Sequence, residues 1–192
     1  MFLLPVVIIG VVVGLLLGGR IDRIAEMRLR TPWLFYVAIG LQLLAFPSLF
    51  MPWRASEGIA TALSIGSYAC LLAVFLNNRR LTGMPIAGAG MMLNLAAILA
   101  NGGHMPALPG AMRDAGLSYT GVHNNSVAEA HPHLSWFVDR WAAPGWVPAG
   151  NVFSVGDVLI GVGAVVLIAA AMGAQVPFRG RPVVSPKGDG PA

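Results

Sequence analysis

Five apolar stretches mark the chain, at about 2–18, 33–53, 58–76, 83–101 and 152–173. The segments outside them hold most of the charge and proline. A helix needs roughly 17 to 25 mainly apolar residues to cross the hydrocarbon core of a bilayer, and each window reaches that length. The pattern predicts an all-α fold, a polytopic transmembrane bundle of about five helices with a long external loop between the fourth and fifth. The third window holds no charge, only the uncharged polar residues Thr61, Ser64 and Ser67. The first, Phe2 to Gly18, has no basic segment before it and no small-x-small cleavage site, and its positive charges follow it, so it reads as a retained helix. Residues 1–175 are expected to form one transmembrane domain, with the external cap at 102–151. The Gly-, Pro- and Arg-rich stretch 176–192 is expected to be a disordered cytoplasmic tail.

Small residues form stripes within the windows. Gly10, Gly14 and Gly18 make a ridge of the kind that lets helices approach closely in lipid. Its partner could be another helix of the same chain, the preferred reading, another membrane protein or a second copy. Gly83, Ala87, Gly90, Asn94, Ala97 and Asn101 share one face of the fourth helix. Ser154, Asp157, Gly161, Ala164, Ile168 and Ala171 share one face of the fifth. These two seams are expected to pack together. An unpaired amide inside a bilayer is costly, so Asn94 is expected to have a hydrogen-bond partner. In the loop, Leu134, Phe137, Val138 and Trp141 recur at helical spacing. They predict either a short interfacial helix with its apolar stripe on lipid or a loop packed over the bundle mouth.

Composition sharpens this picture. Of the 192 residues, 56% are hydrophobic and only 10% charged, with a mean hydropathy of +0.72. Soluble domains carry roughly 25% charged residues, so the chain lacks the polar side chains to cover a water-facing surface. The net charge of +4 comes with no basic helix or aromatic-basic patch, which argues against nucleic acid as a partner. Its distribution is topological. Arg20, Arg23, Arg28, Arg30, Arg79, Arg80, Arg179, Arg181 and Lys187, nine of the twelve Lys and Arg, fall on one side of a five-helix arrangement. The positive-inside rule places that side in the cytoplasm. The chain then sits in the cell inner (plasma) membrane with its N-terminus outside and C-terminus inside. Trp33, Tyr36 and Trp53 flank the second helix as interfacial anchors do. The single cysteine, Cys70, lies in an apolar run with no nearby cation, and reads as an inert thiol.

Asp157 is the one acid inside a window. Intramembrane acids are functional candidates, because each costs roughly 2.5–3.5 kcal/mol at a helix centre. Ser154 and Asp157 also match a capping box, which would place the acid in the first turn at the positive end of the helix dipole. Both readings stay open. His104, His123, His131 and His133 share the external loop with Asp114, Glu129 and Asp139. Such groups can bind zinc or iron, but their spacing follows no ligand pattern. His123, His131 and His133 therefore remain weak metal candidates, and no cofactor is implied.

The run Leu93 to Pro106, ending Asn101-Gly102-Gly103-His104-Met105-Pro106, resembles the signature of a bacterial membrane family of unknown function. That family resembles this chain in a glycine-rich first helix, an Arg-rich first loop and a closing Ser-x-Gly-Asp helix. The resemblance implies no activity. Phe153-Ser154-Val155-Gly156-Asp157 with Ile160 and Gly163 is also similar to one motif of lipoprotein signal peptidases, which would put Asp157 at a catalytic position. The second motif of those peptidases is not matched. Asn94 fits, but Leu93, Ala97 and Ile98 stand where Gly, Asp and Arg are needed. A lone aspartate cannot run a mechanism in which two carboxyls share a proton, unless Asp114 is recruited from the loop. The expected function is therefore non-enzymatic: binding a lipid or lipid-like ligand, or acting as an accessory subunit at the outer face. Asn94, Asn101, His104, Ser154 and Asp157 are the expected ligand-binding residues. The alternative is an intramembrane aspartic hydrolase with Asp157 as one acid. A transporter fits less well, since the windows hold one acid, no basic residue and no evident inverted repeat.

Overall fold

The computed structural model describes residues 3–45, 56–117, 126–143 and 152–175. Within them the chain is mostly helical: α1 (Leu3–Leu16), a 3-10 helix (Ile21–Glu26), α2 (Trp33–Ala45), α3 (Glu57–Asn77), α4 (Met84–Ala100), α5 (Pro109–Asp114) and α6 (Val155–Ala171). α3 fills its apolar window and runs one residue past it at each end, whereas α1, α4 and α6 are shorter than theirs; α2 is described as far as Ala45. α4 starts after Gly83, whose φ is +90°, with Pro85 in its first turn. It ends where Gly102 (φ +74°) reverses the chain and Gly103 N–H returns to the Ile98 carbonyl at 2.9 Å. That closing turn satisfies a terminal carbonyl and favours glycine at the left-handed position. One helix, Gly58–Asn77, is by itself long and apolar enough to cross a membrane. Four shorter apolar helices accompany it, Leu4–Leu16, Trp33–Ala45, Met84–Ala100 and Val155–Ala171. The second half of the 33–53 window, His123 and the 176–192 tail lie outside the described residues.

Neighbouring helices follow the order α2, α3, α4, α6, α1, and the α4–α6 interface is the most extensive. The small-residue seam of α4 meets α6 backbone to backbone. A methyl group on Gly90 would overlap the Gly156 carbonyl, and one on Gly83 would overlap the Gly163 carbonyl. The α6 stripe anticipated for this interface is only partly placed there. Gly156 and Gly163, which the stripe did not include, face α4, whereas its Gly161 lies against Val6 and its Ile168 against Gly10, both on α1. α6 is packed on two sides, so one stripe could not describe it. The glycine ridge of α1 is occupied within the chain at Gly10, by Ile168, and at Gly14, by Met172 and Ala169. Gly18 sits in a left-handed turn facing open space. Arg20 N–H then donates to the Met172 carbonyl at 2.8 Å, tying the ends of α1 and α6 together.

The segment between α4 and α6 folds into a small cap. β1 (Met105–Ala107) pairs in parallel with β2 (Ser126–Ala128), Met105 opposite Ser126, and Ala107 bridges to Asp139. β3 (Trp141–Ala142) pairs antiparallel with β4 (Val152–Phe153), which runs directly into α6. The interfacial helix over 134–141 does not form. Residues 133–137 are turns, and Leu134 has a φ of +53°. Val138 is fully buried against Ala97, Ile98 and Met105, so this segment packs over the bundle mouth. Asn101 explains why: its side chain takes both backbone groups of His133, accepting from N–H at 2.8 Å and donating to C=O at 2.9 Å. A second apolar cluster, Ala107, Ala111, Met112 and Val152, gives the cap its own core.

Candidate functional site

Where α4 and α6 meet beneath the cap, Asn94, Ser154 and Asp157 form one hydrogen-bonded group. Ser154 is the N-cap of α6; its Oγ accepts the Asp157 N–H at 3.1 Å, and Asp157 Oδ2 accepts the Ser154 N–H at 2.9 Å. The capping box is therefore present in both directions. Asn94 extends it across the helix interface, donating from Nδ2 to Asp157 Oδ1 at 2.8 Å and accepting from Ser154 Oγ at 2.8 Å. Ser154 Oγ also lies 3.0 Å from Asp157 Oδ2, but its single proton serves one acceptor at a time. Gly156 and Gly90 make this possible, since a side chain at Gly156 would overlap Asn94 Oδ1. Asn94 and Ser154 are buried, and Asp157 is half-buried. A carboxylate offers about four acceptor positions. Oδ1, with Asn94 as its one donor among the described residues, retains room for another.

Asp157 also borders a groove of about 410 Å³ between α1 and α6. Val6 and Ile9 form its α1 wall, and Phe153, Val158, Gly161 and Val162 line its α6 side. Among the described residues, Asp157 is the only polar side chain lining it. The volume falls within the roughly 300–1,000 Å³ of small-molecule sites. Beside Phe153 stands an aromatic cluster. The Trp141 ring lies 5.7 Å from the Phe153 ring, and the Arg140 guanidinium sits 4.4 Å from the Trp136 ring centre and 5.3 Å from that of Trp141.

The expected ligand-binding residues thus divide. Asn94, Ser154 and Asp157 come together. Asn101, two helical turns along α4, spends its amide on the His133 backbone and on the Ala97 carbonyl at 2.7 Å. His104 stands at the cap surface with Nε2 3.9 Å from Glu129 Oε2. Among the described residues, no three of His, Cys, Asp and Glu gather as a metal-ligand group; His131 and His133 are exposed.

Sequence reasoning passed over Asp139. It is 4% exposed in the cap, and its Oδ2 accepts the Ser126 hydroxyl at 2.6 Å. Burial pushes its carboxyl up to about 7; the Ser126 bond opposes that rise and the charge of nearby Asp157 adds to it. Asp139, rather than Asp114, is therefore the second carboxyl within electrostatic reach of Asp157. Asp114 is exposed at the end of α5 and makes none of these bonds. The burial of Asp139 follows from the Ala107 bridge, a contact 32 residues away in sequence, and no local pattern announces it.

A family model described as a family of unknown function, DUF5317, matches residues 26–169. The chain belongs to that family. The DUF5317 match takes in α2 to α5, the cap and most of α6, and so the Asn94, Ser154 and Asp157 group; α1 lies outside it. An uncharacterised protein of Thermotoga maritima is 26% identical over 153 residues, covering 77% of this chain and 79% of that protein. No solved structure matches the chain.

Proposed function

We propose that this DUF5317 chain is a multi-pass protein of the cell inner (plasma) membrane that binds an amphiphilic ligand at the mouth beneath its cap. The ligand's apolar chain occupies the α1–α6 groove, and a hydroxyl or amine of its head donates to Asp157 Oδ1. The observation that carries this reading is the groove itself, apolar along its length with one incompletely used carboxylate.

Membrane residence is supported by an inverted distribution of side chains. Leu4, Leu16, Tyr36, Ile39, Ile59, Met92 and Leu99 are exposed on the long helices, while Ser64, Ser67, Asn94 and Ser154 are buried. In water, such apolar faces would be left uncovered; in lipid they are solvated. Helices of 17 residues, such as α4 and α6, rise about 25 Å, within the range of short spans. The arginine distribution favours the cap on the outside.

In a bilayer an acyl chain is already in apolar surroundings, so entering the groove gains little from burial. Selection then falls to the polar end. Aspartic hydrolysis is a weaker reading. Its two carboxyls share a proton, whereas the hydrogen bonds of Asp157 go to Asn94 and Ser154, and that of Asp139 goes to Ser126.

Native mass spectrometry of the protein purified in mild detergent tests the proposal. The wild type is expected to retain a discrete lipid, Gly161→Leu to lose it by filling the groove, and Asp157→Asn to hold it less tightly. An unchanged lipid complement in Gly161→Leu would sink the idea. Topology is tested separately in a Cys70→Ser background, with labelling expected from outside at His123→Cys and from inside at Arg80→Cys. Labelling of both from one side would refute the five-span arrangement.

A further inference from the structure

Arg140 is a cation that meets aromatic rings and, among the described residues, no ion-pair partner. Two indoles hold its guanidinium. Cation–π contact occupies the face of the guanidinium plane. A guanidinium stacked on a ring face keeps its N–H edge, which matches the oxygens of phosphate, for other partners. The position is fixed from both sides. Arg140 N–H donates to the Phe153 carbonyl at 3.1 Å, and Trp141 stacks on the ring of Phe153, which lines the groove. Trp136 is 70% exposed and Trp141 41%, as expected of amphipathic rings at head-group depth.

We propose that Arg140, held by Trp136 and Trp141 beside the α1–α6 groove, is the subsite for the phosphate of a phospholipid whose acyl chain fills that groove. The inference rests on the binding reading above and names the chemistry of the head. Asp157 repels a phosphate and accepts a donor, so phosphate and donor must occupy different places. Arg140 and Asp157, on either side of Phe153 in the chain, supply one place for each. A head group carrying phosphate followed by an amine or a hydroxyl, such as phosphoethanolamine or phosphoglycerol, satisfies both.

The test compares two short lipids with identical chains and a hydroxyl head donor, dioctanoylphosphatidylglycerol and dioctanoylglycerol, titrated into the detergent-purified full chain by native mass spectrometry. Both offer a donor to Asp157; only the first has a phosphate. The wild type is expected to bind the phospholipid about tenfold more tightly or better, the effect of one charge-assisted hydrogen bond. Arg140→Gln is expected to bring the two lipids level. Trp136→Ala, at an exposed position, should reduce the preference several-fold while leaving dioctanoylglycerol affinity unchanged, which also shows that the fold persists. Equal binding of the two lipids by the wild type, or a full preference surviving in both variants, overturns the phosphate subsite while the groove stands. If neither lipid binds the wild type, the groove reading itself falls, and this inference with it.

Discussion

The two sides of α6 are built on opposite principles. Toward α4, glycines meet carbonyls with no side chain between, and the seam ends in a closed ring of hydrogen bonds among Asn94, Ser154 and Asp157. Toward α1, glycine meets a side chain, Gly10 against Ile168 and Gly14 against Met172. Nearer the cap, valines on both helices hold the backbones apart, and the groove opens. The first side has no slack and the second does. A binding site needs space next to a fixed polar group, and α6 provides both by closing one face to fix Asp157 and opening the other beside it.

The strongest way to break this contrast is Gly156→Ala. The added methyl would collide with Asn94 Oδ1 and approach the Gly90 carbonyl at 2.7 Å, atoms that cannot move without separating the helices. Overpacking typically costs about 1–3 kcal/mol and occasionally more; with backbone on the other side the upper end applies. We expect little folded protein by size-exclusion chromatography. Recovery at the wild-type level would mean that the seam is looser than its geometry.

The cap above the closed side responds to pH. Asp139 keeps its proton up to about pH 7 in the folded chain, whereas an unfolded chain releases it near pH 3.9. The folded state thus binds the extra proton between these values, and stability falls as pH rises from about 4 to 7, then levels off. The loss is at most about 4 kcal/mol. Amide hydrogen exchange at Leu108 and Asp139 is expected to be faster at pH 8 than at pH 5 after correction for intrinsic rates. Asp139→Asn is expected to remove that difference.

Asn94→Ala should cost about 1–3 kcal/mol by thermal unfolding in detergent, because the Ser154 hydroxyl and Asp157 Oδ1 each lose a partner. The smallest effect is expected on the open side. A methyl at Gly10 would lie 3.0 Å from the Ile168 side chain, which can turn, so Gly10→Ala should cost about 1 kcal/mol. If Gly10→Ala proves as damaging as Gly156→Ala, the two faces of α6 are not different in kind.

Much of the closed side was legible in the sequence. The seam of α4 shows in its small residues, the cap of α6 in Ser154 and Asp157, and the need of Asn94 for a partner in its position within an apolar window. The partner itself was not legible, because hydrogen bonds spanning 60 and 63 residues depend on how two helices are rotated. The same rotation decided that Gly161, counted in the stripe expected to meet α4, belongs to α1, while Gly163, outside that stripe, meets α4. In the cap, strands of two or three residues are too short to show a period, and Leu134 to Trp141 mimicked a helix that the Asn101 clamp on His133 prevents.

Asn94 and Asn101 also bear on the order in which the protein assembles. During synthesis α4 emerges before the cap and before α6, carrying two amides whose main partners have not yet been made. In the membrane setting we propose, the amide of Asn94 would then have nothing but lipid or a neighbouring helix to meet. The arrival of Ser154 and Asp157 relieves it. Insertion of α6 is then drawn to one register on α4, and Asn101, seven residues along, captures the returning loop at His133. α6 finds its place on a template laid down sixty residues earlier.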